Sequence, residues 1–140
     1  MPSVSDIKID ELKLLRDERG LLAVAEFRDF VPFTVVRLFY VCGAPPGATR
    51  GRHAHRLCRQ YMICQNGRVR IDLADGEHTR CLELAAGQAV LVEPGIFAQE
   101  AYLDAESILL VLCDRPHEKE DYIHTMDEFL RFVRPQGESA

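Results

Sequence analysis

Short apolar, β-branched runs follow one another through most of this chain, each cut off by glycine, proline or asparagine, and very little repeats at helical spacing. Residues 35–41 form one such run, closed by Pro45-Pro46-Gly47, and predict a strand that ends in a loop. Within it Arg37 shares a face with Val35 and Phe39, so it lies on a solvated sheet face or inside a polar cavity. Residues 61–64 run into Asn66-Gly67, after which Val69, Ile71 and Leu73 alternate with Arg68, Arg70 and Asp72; this reads as a β-hairpin. A further turn at Asp75-Gly76 leads to strands at 80–84 and 89–92, the latter closed by Pro94-Gly95, and 107–113 reads as the last buried strand. Helix is expected only near the end, where Thr125 and Glu128 have capping-box spacing and Phe129, Phe132 and Val133 share a face. Residues 136–140 read as a frayed tail. Many short strands with glycine turns predict an all-β sandwich or barrel.

At 140 residues the chain fits one domain, residues 1–140, with enough apolar content (47%) to bury a core without staples. A formal charge of −5 argues against a mainly electrostatic nucleic-acid binder, although Arg50, Arg52, Arg56 and Arg59 gather enough local charge to hold a phosphate. The alternative for these arginines is a solvated charged edge. Five cysteines with no C-x-x-C pair suit reduced thiols, with Cys42, Cys64 and Cys113 as small core residues. No apolar stretch reaches the ~20 residues of a membrane span and residues 1–10 carry no signal-peptide core, so a cytoplasmic protein with no membrane partner is expected.

The chemistry concentrates between Gly47 and Gly67, where His53 and His55 are followed by Gln60. This spacing resembles the first motif of the cupin family, a jelly-roll β-barrel in which two histidines two apart on a strand point inward together. Many cupins add a Glu and a later His to bind a metal. Here Gln60 stands where the Glu would be, and Phe97, Ala98 and Gln99 supply no histidine in the region of the second motif. Two imidazoles and a neutral amide make a poor metal site, so no metal or other cofactor is expected. Paired histidines are then candidate acid and base groups, the alternative being two rings merely hydrogen-bonded inside a barrel.

Around Arg50-Gly51-Arg52-His53-Ala54-His55-Arg56 the resemblance narrows. The chain is similar to the TDP-4-keto-6-deoxyglucose 3,4-ketoisomerase family, the WxcM-like cupins of deoxysugar and surface-polysaccharide biosynthesis, which includes lipopolysaccharide O-antigen. The similarity extends through Arg19-Gly20, Pro32-Phe33, residues 37–40, Gln60, Asn66-Gly67, Pro94, Val111-Leu112 and Asp121-Tyr122-Ile123. It implies a metal-free, homodimeric cupin, possessing a short C-terminal helix here, that binds a TDP-linked keto-deoxysugar and moves its carbonyl from C4 to C3 through an enediol. On that basis His53 is the expected C3 base and His55 its partner in proton transfer. Arg37 and Arg50 are expected phosphate or nucleotide contacts, with Tyr40 and Gln60 completing the substrate-binding set. An N-terminal strand around 7–15 is expected to pair across the dimer.

Two departures stand out. Family members commonly carry a Tyr pair where this chain has Phe39-Tyr40, and Trp followed by His or Arg where it has Phe97-Ala98. The isomerase then either tolerates the loss, with Tyr40 or water filling in, or serves another sugar or stereochemical outcome. The remaining alternative is a non-catalytic nucleotide-sugar-binding cupin.

Overall fold

The protein is represented by a computed structural model, which describes residues 1–134. The expected tail at 136–140 lies outside the described residues. The strands run β1 (Ile9–Glu11), β2 (Lys13–Asp17), β3 (Gly20–Val24), β4 (Arg37–Val41), β5 (Ala48–His55), β6 (Gln60–Asn66), β7 (Arg68–Ala74), β8 (Thr79–Ala85), β9 (Gln88–Val92), β10 (Phe97–Tyr102), β11 (Ile108–Cys113) and β12 (Tyr122–Ile123). One helix, α1 (Met126–Val133), follows. Two five-stranded antiparallel sheets, ordered β1-β9-β6-β11-β4 and β12-β5-β10-β7-β8, form the all-β jelly-roll barrel expected, and β2 and β3 form a separate ribbon.

Alternation along the strands sorts the apolar residues into layers. Met62 and Cys64 of β6 join Val69, Ile71, Leu84, Val90 and Val111 in the barrel interior. Tyr61 and Ile63, on the other face of β6, pack against Leu12 and Val31 beneath the segment that carries Phe30 and Phe33. Thus β6 is covered on both sides. Across the molecule α1 lays Phe129 and Val133 on Phe97, Ala54 and Ile123. Its first turn is capped as the sequence predicts: Thr125 Oγ1 accepts from the Glu128 amide at 3.2 Å.

Three expectations are corrected. Asn66-Gly67 does not close a hairpin, because β6 pairs with β9 and β11 whereas β7 pairs with β8 and β10. The chain turns a corner there from one sheet to the other. Gly67 has φ +67° and lies so close to Ser107 that a Cβ would stand 2.9 Å from the Ser107 Cα. Ser107 Oγ fastens the corner, accepting from the Arg68 amide and donating to the Arg68 carbonyl. The run of 60–64 is buried on both faces while β7 alternates, and that contrast marks two different sheets. Second, Cys42 is exposed rather than core, because it follows the end of β4 at the surface. Third, residues 7–15 are not one strand. β1 pairs with β9 of its own sheet, and β2 pairs with β3.

Candidate active site

His53 and His55 leave β5 for the barrel interior with their ring centroids 5.0 Å apart and edge to face. The local backbone explains this placement. Ala98 of β10 lies opposite His53, but Gln99 lies opposite Gly51, so Arg52 is an extra residue and forms a β-bulge. Gly51 and Arg52 both have positive φ, +84° and +58°. Side chains alternate with period two, so on a regular strand Arg50 and His53 would face opposite ways. The bulge brings both to one side and sends Arg52 to an outer groove with Asp72, Thr79 and Met126.

His55 is 5% exposed and anchored from behind. Its Nδ1 is 2.7 Å from Asp121 Oδ2. A carboxylate only accepts, so Nδ1 carries the proton and Nε2 presents a bare lone pair. That Nε2 is buried without a partner among the described residues. Asp121 ends a short 3-10 turn directly before β12, whose Tyr122 pairs with His55 in the ladder. Burial opposes ionisation of Asp121, but hydrogen bonds from His55 and from the Leu57 and Cys58 amides outweigh it, holding the carboxyl below its usual range. Burial pushes the His55 imidazole down, against the pull of Asp121. His53 is lowered to about 4, by burial and then by the neighbouring His55. Both rings are therefore neutral near pH 7. Tyr122 packs against both, at 4.9 and 4.6 Å between centroids, and stacks on His124.

Of the residues singled out from the sequence, His53, Arg37, Tyr40, Arg50 and Gln60 border one cavity of about 380 Å³, together with Phe39, Gly51, Glu100, Tyr102 and Tyr122. His55 sits behind His53 and is not among that cavity's lining. The cavity is the second of the two settings open to Arg37 above; its guanidinium lies 5.6 Å over the Phe39 ring. Gln60 is buried and donates from Nε2 to Cys113 Sγ at 3.6 Å. Tyr40 follows Phe39 on β4 with the opposite orientation and is 62% exposed, so it does not fill the place of a phenol at 39. The four-arginine cluster is dispersed: Arg56 pairs with Glu128 and Arg59 with Glu93, while Arg50 alone of the four reaches the cavity.

His55, Cys58 and Asp121 bring ligand atoms within 4.8 Å of one another. The trio fits a metal poorly, because both Asp121 oxygens already accept hydrogen bonds and the Cys58 thiol is pushed up by its hydrogen bond to Cys113 and by burial.

The family described as "FdtA: WxcM-like, C-terminal" matches residues 5–134. The chain belongs to this WxcM-like family. A TDP-4-oxo-6-deoxy-α-D-glucose-3,4-oxoisomerase of Aneurinibacillus thermoaerophilus is 27% identical over 127 residues, covering 90% of this chain and 91% of that protein. A TDP-quinovose 3,4-ketoisomerase of Campylobacter jejuni superposes with a TM-score of 0.82 at 30% identity, covering 91% of this chain and 99% of that one. A sugar 3,4-ketoisomerase from Thermoanaerobacterium thermosaccharolyticum, solved with TDP, gives 0.85 at 25% identity, covering 94% and 96%. The barrel is thus the cupin of the WxcM-like sugar isomerases.

Asp121, Tyr122, Glu100 and Tyr102 complete the site beyond the residues expected from the sequence. Asp121 and Tyr122 were visible as part of an Asp-Tyr-Ile segment, yet nothing linked them to His55, 66 residues away. Glu100 had a local signal: it sits at period two between Ala98 and Tyr102 in an otherwise buried strand, where a carboxylate is out of place.

Proposed function

We propose that this chain is a sugar-nucleotide 3,4-ketoisomerase acting on a TDP-4-keto-6-deoxyhexose. The observation that carries this reading is a neutral His53 on the wall of a polar cavity, backed by the His55–Asp121 pair, in a member of this family. His53 removes the C3 proton, which the C4 ketone acidifies, and the resulting enediol is reprotonated at C4. His55 partners His53, since its ring packs on that base and its Nδ1 proton is committed to Asp121. Arg37 and Arg50 are suited to the diphosphate, and Tyr40 and Gln60 border the same space.

We further read the chain as one domain that works as a homodimer in the cytoplasm. Two features support the dimer. The β2–β3 ribbon is exposed over most of its length, and a two-stranded ribbon is marginal by itself. Beside it, a groove of about 630 Å³ lined by Leu22, Phe27, Leu38 and Leu110 carries no charged side chain. Five free thiols suit a reducing compartment.

The test is incubation of the purified protein with TDP-4-keto-6-deoxyglucose in deuterium oxide, followed by NMR. The expected result is a 3-keto product carrying solvent deuterium at C4, with exchange at C3 of the remaining 4-keto sugar, both abolished in His53→Asn while TDP binding persists. No exchange and no new ketone in the wild type would sink the proposal. TDP binding without turnover would instead favour the binding cupin, the reading to which Phe39 and Ala98 point.

A further inference from the structure

An isomerisation between neighbouring carbons needs a second proton carrier in contact with the sugar, because O4 must gain a proton and O3 must lose one while the base works on carbon. His55 is badly placed for that contact: its free Nε2 is buried and lies behind His53. The residues usually expected to add polar groups here are Phe39 and Ala98 in this chain. Another carboxyl occupies the same wall. Glu100 lies on the inner face of β10 between Ala98 and Tyr102, is 8% exposed, and borders the cavity with His53.

The surroundings of Glu100 are built to admit it. Its Oε2 stands 2.5 Å from where a Cβ on Gly51 would be, so the bulge glycine leaves the room the carboxyl fills. Arg50 is its cross-strand neighbour. The other ionisable groups facing the cavity are His53 from β5, Arg37 from β4, Tyr102 from β10, and Tyr122 and Tyr40 at its border. No hydrogen bond contributes to the state of its carboxyl; burial raises it to about 7 against the attraction of Arg50. The Tyr102 hydroxyl beside it and the Arg37 Nε at the same cavity are buried and lack a partner among the described residues. Two buried, unpartnered polar groups bordering one cavity mark a place where a ligand completes the hydrogen bonding.

We infer that Glu100 is the second catalytic acid/base residue of this site, a neutral carboxylic acid that shuttles a proton between O4 and O3 of the sugar while His53 carries one between C3 and C4. This rests on the isomerase reading. In the first half, His53 takes the C3 proton, the C3–H electrons form the C3–C4 double bond, and the C4 carbonyl oxygen takes the proton of Glu100. In the second half, the O3–H proton passes to the Glu100 carboxylate as the C3 carbonyl forms, and C4 takes its proton from His53. The step is redox-neutral and returns both residues to their starting states.

The test compares wild type with Glu100→Gln, Glu100→Met and Glu100→Asp on TDP-4-keto-6-deoxyglucose, with TDP binding as the check on folding. If the wild type isomerises the sugar, the Gln and Met variants are expected to lose at least about 10²-fold in kcat with KM changed by only a few-fold. The fall in wild-type rate above about pH 7 should also vanish in the Gln variant and return, at partial activity, in the Asp variant. Met matches the length of Glu without its carboxyl, so it decides the matter if Gln disturbs the fold. A Gln or Met variant turning over at the wild-type rate, or a Gln variant that keeps the alkaline fall, overturns the role of Glu100 and leaves the isomerase reading standing. An inert wild type overturns the isomerase reading itself.

Discussion

At the scale of single residues, the site separates its titrations. His53 works as a base only when unprotonated, and burial holds it down to about 4; Glu100 works as an acid only when protonated, and burial holds it up to about 7. A plot of kcat/KM against pH should therefore rise through about 4 and fall through about 7. Glu100 also links pH to stability. Its folded form keeps a proton that the unfolded chain releases, so the stability it contributes is full below the ordinary Glu range and is lost as pH rises through about 7. Urea unfolding of wild type and Glu100→Gln at about pH 5 and pH 8 should show the variant gaining on the wild type at the higher pH by on the order of 2–3 kcal/mol. Asp121 acts differently: it fixes the His55 tautomer from outside the cavity. Asp121→Asn should lower kcat on the order of 10²-fold with little change in KM, and an unchanged kcat would remove Asp121 from the mechanism. His53 and His55 were legible because two residues fix one side of a strand. Asp121 was not, since its partner is set by strand pairing, and Glu100 was marked only as a carboxylate out of place in a buried strand.

Among the elements, β5 carries the decisive irregularity. Deleting Arg52 would remove the bulge and restore strict alternation, turning Arg50 or His53 out of the cavity. TDP affinity measured by calorimetry should then fall at least about tenfold while the circular-dichroism spectrum stays β-rich. Helix α1 holds the outer side of the same sheet, since Phe129 packs with Ala54, Phe97 and Ile123. Phe129→Ala should cost about 3–5 kcal/mol in chemical unfolding, the range for emptying a core aromatic site. Its helical period and Thr125 cap were plain in the sequence. The Asn66-Gly67 corner was misread because the dipeptide suits a tight hairpin equally well, and the choice falls to the partners of β6 and β7.

For the whole molecule, exposed apolar side chains border the uncharged groove beside the β2–β3 ribbon. Leu22 on β3 is 57% exposed and Leu38 on β4 is 53% exposed, both bordering the uncharged groove. Sedimentation should report a dimer, and Leu38→Asp should shift it toward monomer, because a carboxylate buried in an apolar interface has no partner. A wild type that sediments as a monomer at all accessible concentrations would discard the homodimer.

Local chemistry in the chain was enough for the cadence of strands, the terminal helix, the inward pairing of His53 and His55, and membership of a cupin family, because each depends on residues within a few positions of one another. Which strands share a sheet, which arginine enters the cavity, what stands behind His55 and which carboxyl shares the wall with His53 are non-local. They follow from register, from one extra residue in β5, and from contacts such as His55 with Asp121 that closure of the barrel creates.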